Sequence, residues 1–173
     1  MKKKIALCGK MASGKSYISD YLVGKGYVRI GFGDAVKDHC TKIFNMNCKD
    51  RKLIQSFAQK LKEIDENVWI NYLDNKLKTE LKEEDFIVID DLRFPNEYNY
   101  LRKNNFIIIK LIINDNLQIK RLKDTYPDNY NNHINSIQDV SEIYIDELEA
   151  DYKIEVIQEN ENNILEIIES YTN

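Results

Sequence analysis

Gly9-Lys10-Met11-Ala12-Ser13-Gly14-Lys15-Ser16 sets two glycines with four residues between them, followed at once by a lysine and a serine. Glycines let a backbone fold closely round an anion with successive N–H groups pointing inward. A lysine in this place can reach the outer phosphates of a nucleotide, and the next hydroxyl can ligate Mg²⁺. The pattern GxxxxGK followed by Ser or Thr is met at every fixed position, and its context fits. An apolar strand, Lys4–Cys8, leads in, and a helical stretch to about Val23 leads out. The N-terminus of that helix adds about half a positive charge where a β-phosphate would lie. Gly9 to Ser16, with Tyr17, is therefore the expected ATP-phosphate segment. Lys15 is its catalytic cation and Ser16 a ligand to magnesium. A glycine turn without a ligand would have no use for the Lys-Ser pair.

Such a loop also needs a carboxylate at the end of a neighbouring strand, to hold magnesium or its water. Phe86-Ile87-Val88-Ile89-Asp90-Asp91 supplies one. Its continuous apolar run suits a central parallel strand covered on both faces. Kinases, GTPases and motor ATPases all carry this kind of loop. A GTPase would need a DxxG segment and a late NKxD base reader. Here Asp90-Asp91-Leu92-Arg93 lacks the glycine, and Asn75-Lys76-Leu77-Lys78 ends in Lys and precedes the acidic strand. Motor ATPases and helicases are usually larger, and more basic where they grip polymers. A small kinase is the expectation that remains.

Alternating strands and helices must position these groups. Tyr27–Ile30 reads as a short strand, Asp34 as the N-cap of a helix through Phe44, and Asp50 as the N-cap of one through about Asn67. A helix over Val68–Lys82 sets Trp69, Ile70, Leu73, Leu77 and Leu81 on one face. Phe106–Ile113 and, more weakly, Tyr152–Ile157 repeat the strand pattern. Helical segments Pro95–Lys103, Leu117–Lys123, Ser141–Leu148 and Asn162–Tyr171 lie between and after them. The alternation predicts a three-layer α/β fold of the P-loop kinase type, with a parallel sheet of about five strands and helices on both faces. All 173 residues read as one domain. Asp124–Asn135, rich in Asn and Asp, reads as a mobile loop within a short lid at about 120–140. Lys120, Arg121 and Lys123 are its candidate cations, with Arg121 expected to be catalytic.

Three further segments carry a family resemblance. Asp91-Leu92-Arg93-Phe94-Pro95-Asn96-Glu97 resembles the D-x-R-F-P-N-E segment of the deoxynucleoside monophosphate kinases of phages and related viruses, within the P-loop nucleoside monophosphate kinases. Gly31-Phe32-Gly33-Asp34-Ala35-Val36-Lys37 resembles that family's F-A-D-x-x-K segment. Arg51-Lys52-Leu53-Ile54-Gln55, with Trp69 downstream, resembles its R-x-L-L-Q helix and following Trp. The resemblance covers about the first hundred residues. It implies transfer of the γ-phosphoryl group of ATP to a deoxynucleoside monophosphate. Asp91 would lie near magnesium and Arg93 would grip the acceptor phosphate. Phe32, Asp34 and Lys37 would line the acceptor pocket, Arg51 would be a second clamp, and Trp69 would belong to the same helical acceptor part at about 34–82. The chemistry agrees with the two arginines: phosphoryl transfer is chiefly positioning and charge neutralisation, and a planar fork suits bidentate phosphate contact. Phe32 is open between base stacking and core packing. The family's His and Ser-Glu pair lie close together, whereas His133 and Ser141-Glu142 are separated here. An acceptor phosphate is already nucleophilic, so no dedicated general base is expected. Phosphomevalonate kinases share part of the pattern. A kinase for that or another small phosphorylated acceptor, such as a modified nucleotide, stays open, as does a non-catalytic nucleotide-binding protein.

Bulk properties narrow the partners. The net charge of -4 argues mildly against polymeric nucleic acid. No apolar run approaches the roughly 20 residues of a membrane span. Cys8, Cys40 and Cys48 match no zinc spacing and read as reduced cytosolic thiols. The expectation is a cytoplasmic protein (host cytoplasm if viral) acting on a small molecule, with a homodimer allowed.

Overall fold

The computed structural model describes residues 4–47, 50–81, 86–128, 130, 140–158 and 161–172. The chain divides into two compact units, Met1–Arg29 with Phe86–Asn173, and Ile30–Asp85. The first holds the sheet. The second is an insertion whose described elements are all helices, and it contains the 34–82 segment singled out above.

In the first unit, β1 (Lys4–Gly9), β2 (Val28–Arg29), β3 (Ile87–Leu92), β4 (Ile107–Ile113) and β5 (Tyr152–Val156) form one sheet in the order β2-β3-β1-β4-β5. Every pairing is parallel. The expected five-stranded parallel sheet of a P-loop kinase fold is thus present. Its helices are α1 (Lys15–Gly24), α5 (Pro95–Lys103), α6 (Asp115–Thr125), α7 (Val140–Glu147) and α8 (Glu161–Thr172). Alternation along the strands gives the sheet two buried faces. Ile5, Leu7, Ile109, Leu111, Ile113, Ile154 and Val156 pack on Ile18 and Leu22 of α1, Leu117 of α6, and Ile164 and Ile168 of α8. Ala6, Cys8, Ile108 and Lys110 belong to the opposite face, also buried. Lys110 there donates to the carbonyls of Asp146 (2.9 Å) and Leu148 (3.2 Å), so that face carries the C-terminal end of α7. Fully buried chains such as Leu7 contribute about 1.5–3 kcal/mol each.

Strand order fixes where a ligand can sit. From β1 the chain first builds β2 and β3 on one side, then β4 and β5 on the other, so connections diverge at the carboxyl end of β1. In open α/β sheets that divergence opens the ligand crevice. Gly9 ends β1 there.

The second unit contains α2 (Phe32–Phe44), α3 (Arg51–Ile64) and α4 (Val68–Thr79). Ala35, Val36 and Trp69 form its core with Ile54, Phe57, Ala58, Leu61 and Val68.

Several boundaries differ from the sequence reading. Asp34 is not the N-cap of α2: Gly31, extended at φ -138°, holds that place, and Asp34 sits three residues in. From there its carboxylate accepts the Gly31 amide at 2.8 Å, which is half of a capping box. Asp50 does cap α3, accepting from Leu53 N at 3.0 Å. That helix stops at Ile64, because Asp65 is extended and takes the Asn67 amide instead. Asn114 caps α6 and starts it two residues early, and α6 runs on to Thr125 into the polar stretch. β3 continues through both aspartates to Leu92. Residues 129 and 131–139, with His133 and about half of the expected lid, lie outside the described residues, as does Cys48. Among the described residues no helix is long and apolar enough to cross a membrane.

Candidate active site

The loop after β1 shows why its residue types are needed. A Cβ on Gly9 would sit 2.7 Å from the Leu111 carbonyl oxygen and 2.8 Å from Ser13 Oγ, so only glycine lets β4 and the loop approach this closely. Ala12 adopts a left-handed backbone at φ 63° and Gly14 at φ 97°. Gly14 is the N-cap of α1, so the amides of Lys15, Ser16 and Tyr17 open the helix without acceptors inside it. Those amides and the helix dipole suit an anion. Ser16 and Tyr17 are exposed at this first turn. Magnesium uses one or two protein carboxylates with phosphate and water, so it needs no larger cluster. Among the described residues no group of three His, Cys, Asp or Glu side chains forms one.

Lys15 folds back across the loop. Its Nζ donates to the carbonyls of Gly9 (2.5 Å) and Lys10 (2.9 Å) and to Ser13 Oγ (3.4 Å). Burial, then the nearby positive charge of Arg93, push its pKa down to about 8; Glu142, Cys8 and Asp90 oppose the shift. An anion that favours the charged lysine would raise this pKa again. Cys8, at the end of β1, has its thiol pushed up to about 11 by burial, which leaves it protonated.

Two helices brace the loop from far along the chain. From α6, Gln118 Nε2 donates to the Met11 carbonyl at 3.0 Å and Arg121 Nη1 to the Ala12 carbonyl at 3.3 Å. Arg121 Nη1 would be 3.7 Å from a Cβ on Gly14, so the guanidinium lies over the loop. From α7, Glu142 accepts the Met11 amide on Oε2 at 3.0 Å, and Lys10 pairs with Asp146 at 3.0 Å.

Arg93 follows β3 and is fixed twice. Its backbone N–H donates to Glu97 Oε2 at 3.0 Å, and its Nη1 to Glu142 Oε1 at 3.0 Å. Glu97 also takes the Phe94 amide at 3.1 Å, capping α5 from its third position. The aspartates of β3 differ in their surroundings. Asp90 meets Arg29 Nη2 at 2.5 Å, and its charge is among those felt by Lys15. Asp91 follows it in the strand and is partly buried.

The sequence family described as AAA domain matches residues 5–144, four-fifths of the chain. The chain belongs to the AAA domain family. The matched span of this AAA domain runs from β1 through the phosphate loop, the β3 aspartates and Arg93 to the first turn of α7. No curated protein matches it in sequence. Among solved structures, the AAA domain is similar to TT1252 from Thermus thermophilus, with TM-score 0.65, 13% identity, and 99% and 98% of the two chains covered. It is also similar to a dephospho-CoA kinase from Campylobacter jejuni (TM-score 0.58, 18% identity, 99% and 96% covered) and to a shikimate kinase from Bacteroides thetaiotaomicron (TM-score 0.58, 11% identity, 98% and 98% covered). At these identities the likeness is one of fold.

Of the expected acceptor residues, Phe32, Asp34, Lys37, Arg51 and Trp69 belong to the helical unit, whereas Asp91 and Arg93 belong to the unit that holds the sheet. Phe32 opens α2 and is 4% exposed, and Trp69 is 5% exposed with Nε1 donating to the Ala58 carbonyl at 3.3 Å. Core packing thus accounts for Trp69. Asp34 and the exposed Lys37 pair at 3.5 Å. Arg51 is the first residue of α3; its side chain lies outside the described residues. Sequence reasoning assigned no role to Gln118, Glu97 or Glu142. Gln118 was legible in its spacing to Arg121, three apart on one helix face. Glu97 was legible as a third-position acid after a helix-opening proline. Glu142 was met only as half of the Ser-Glu pair in the family resemblance, and no local signal pointed to Arg93 or Met11 as its partners.

Proposed function

We propose that the protein is an ATP-dependent kinase that transfers the γ-phosphoryl group to a deoxynucleoside monophosphate, giving the diphosphate. The observation that carries this reading is that one carboxylate, Glu142, accepts from Arg93 and from the Met11 amide of the phosphate loop, each at 3.0 Å. A second cation, held from β3, is thereby tied to the loop that carries Lys15. Two cations gathered at one loop favour a site that takes up more than one phosphate group. Lys15 would bear on the β- and γ-phosphates, Arg93 on the acceptor phosphate, and Arg121, over the loop, on charge that develops during transfer. Bound magnesium would neutralise the β- and γ-oxygens, with Ser16 and Asp91 as its protein contacts. Phe32, Asp34, Lys37 and Arg51 are the proposed acceptor contacts. The acceptor is a small molecule, neither polymeric nucleic acid nor membrane.

A second reading, a kinase for another small phosphorylated acceptor, is favoured by the burial of Phe32 and Trp69, which leaves little aromatic surface for a base. One assay separates the two. Purified protein with ATP, Mg²⁺ and each deoxynucleoside and ribonucleoside monophosphate should form ADP and a diphosphate from at least one deoxynucleotide. ATP binding without turnover on any monophosphate would transfer the assignment to the second reading.

A further inference from the structure

We infer that Glu142 is a positioning residue of the phosphate site, holding the Arg93 guanidinium with one carboxylate oxygen and the Met11 peptide of the phosphate loop with the other. The inference rests on the kinase reading for its consequence, but on geometry for its existence. Glu142 is 2% exposed, and taking a carboxylate out of water is costly unless its oxygens are satisfied. Both are: Oε1 accepts from Arg93 Nη1 and Oε2 from Met11 N, each at 3.0 Å. The helix that carries it is anchored at its other end by Lys110 beneath the Asp146 and Leu148 carbonyls and by the Lys10–Asp146 pair. The carboxylate is therefore presented from a fixed base.

Its location gives it a task. Arg93 disfavours the charged form of Lys15 and Glu142 favours it, so the carboxylate lets two cations share one anion site. Glu97 fixes the backbone of Arg93 and Glu142 its side chain, which sets the fork's direction before any ligand binds. Holding the Met11 N–H links the same carboxylate to the loop. Arg93, from β3, and Met11, after β1, thus respond to one group on α7. Preorganisation of this kind lowers a barrier without adding ground-state affinity.

Glu142→Gln tests this with little change of shape. The amide oxygen can still accept from Met11, but its NH₂ faces the Arg93 donors and cannot hold them. With an active acceptor, kcat should fall by at least about tenfold, while ATP binds as tightly as before or up to about tenfold more tightly, since a negative charge has left the phosphate site. Glu142→Asp, which restores the charge on a shorter arm, should recover part of the rate. A kcat within about twofold of wild type, or parallel loss of ATP affinity and thermal stability, would overturn the inference. A second measurement does not need turnover. The Met11 amide resonance should move upfield in Glu142→Gln, and Arg93→Ala should shift it in the wild-type background but not in the Gln variant. Insensitivity of that resonance to Arg93 would overturn the inference even if the kinase reading stands. If no acceptor is turned over, the kinase reading fails and the resonance alone decides the role of Glu142.

Discussion

The ammonium of Lys15 lies 2.5 Å from the carbonyl oxygen of Gly9, six residues before it in the same loop. In the free protein the loop lysine is satisfied by its own backbone. An incoming phosphate competes with neutral carbonyls, and a charged acceptor makes the stronger hydrogen bond.

Lys15→Ala should reduce turnover by at least about 10²-fold, because it removes the cation nearest the transferring group. The check is a steady-state rate on the best acceptor. Near-normal rates would defeat the assignment of the loop as a nucleotide site.

The lowered pKa of Lys15 gives a pH dependence with a definite sign. The unfolded chain keeps this proton to about 10.5, while the folded protein releases it near 8. Between those values the unfolded state binds more protons, so this group makes the free protein more stable as pH rises through that window. Nucleotide phosphates favour the charged lysine, so ATP binding should take up a proton at and above about pH 8 and weaken as pH rises further. Calorimetry in buffers of different ionisation enthalpy reads this directly, and no proton uptake up to about pH 9 would contradict it.

Arg93→Ala should raise the acceptor KM and lower kcat by about 10²-fold together, with a smaller effect on ATP affinity. It also strands Glu142 as a buried carboxylate without its cation, so a loss of stability of about 3–5 kcal/mol should accompany the change. Denaturant titration alongside kinetics separates the two. A defect confined to ATP binding would place Arg93 on the nucleotide.

Asp91→Asn should raise the magnesium needed for half-maximal rate by at least about tenfold, and by more than Asp90→Asn does. Asp90 meets Arg29 at 2.5 Å, so to ligate a metal it would have to give up or share that partner. A magnesium titration giving the reverse order would assign the metal to Asp90.

Ala12→Gly should raise stability by up to about 1 kcal/mol. Left-handed Ala costs about 1–2 kcal/mol, and the added chain entropy of glycine returns part of that on folding. The midpoint of thermal unfolding reports it, and a lower midpoint would show that the methyl group makes a contact worth more than the strain.

The sequence by itself determined whatever rests on bonds between near neighbours. GxxxxGK-Ser is a backbone geometry written in residue types, and its Gly9 and Gly14 take the conformations it demands. Pro95 followed by Glu97 fixes the start of α5, and Asp50 that of α3, because a cap is satisfied within three residues. The apolar runs of β1, β3 and β4 announce a buried parallel sheet, since both faces of each strand must be covered. Tertiary structure decided the rest. Met11 finds Gln118 and Glu142 across 107 and 131 positions of chain, and no spacing rule connects such partners. They meet because the order β2-β3-β1-β4-β5 sets β4, and the helices around it, beside β1. The aromatic residues show the same limit from the other side. Trp69 reads along the chain as one residue of an apolar helix face and, by resemblance, as part of the acceptor segment, and only the packing of α2, α3 and α4 encloses it. A capping bond is a local choice, whereas the partner of a buried charge is set by whichever element the completed sheet brings within about 3 Å of it.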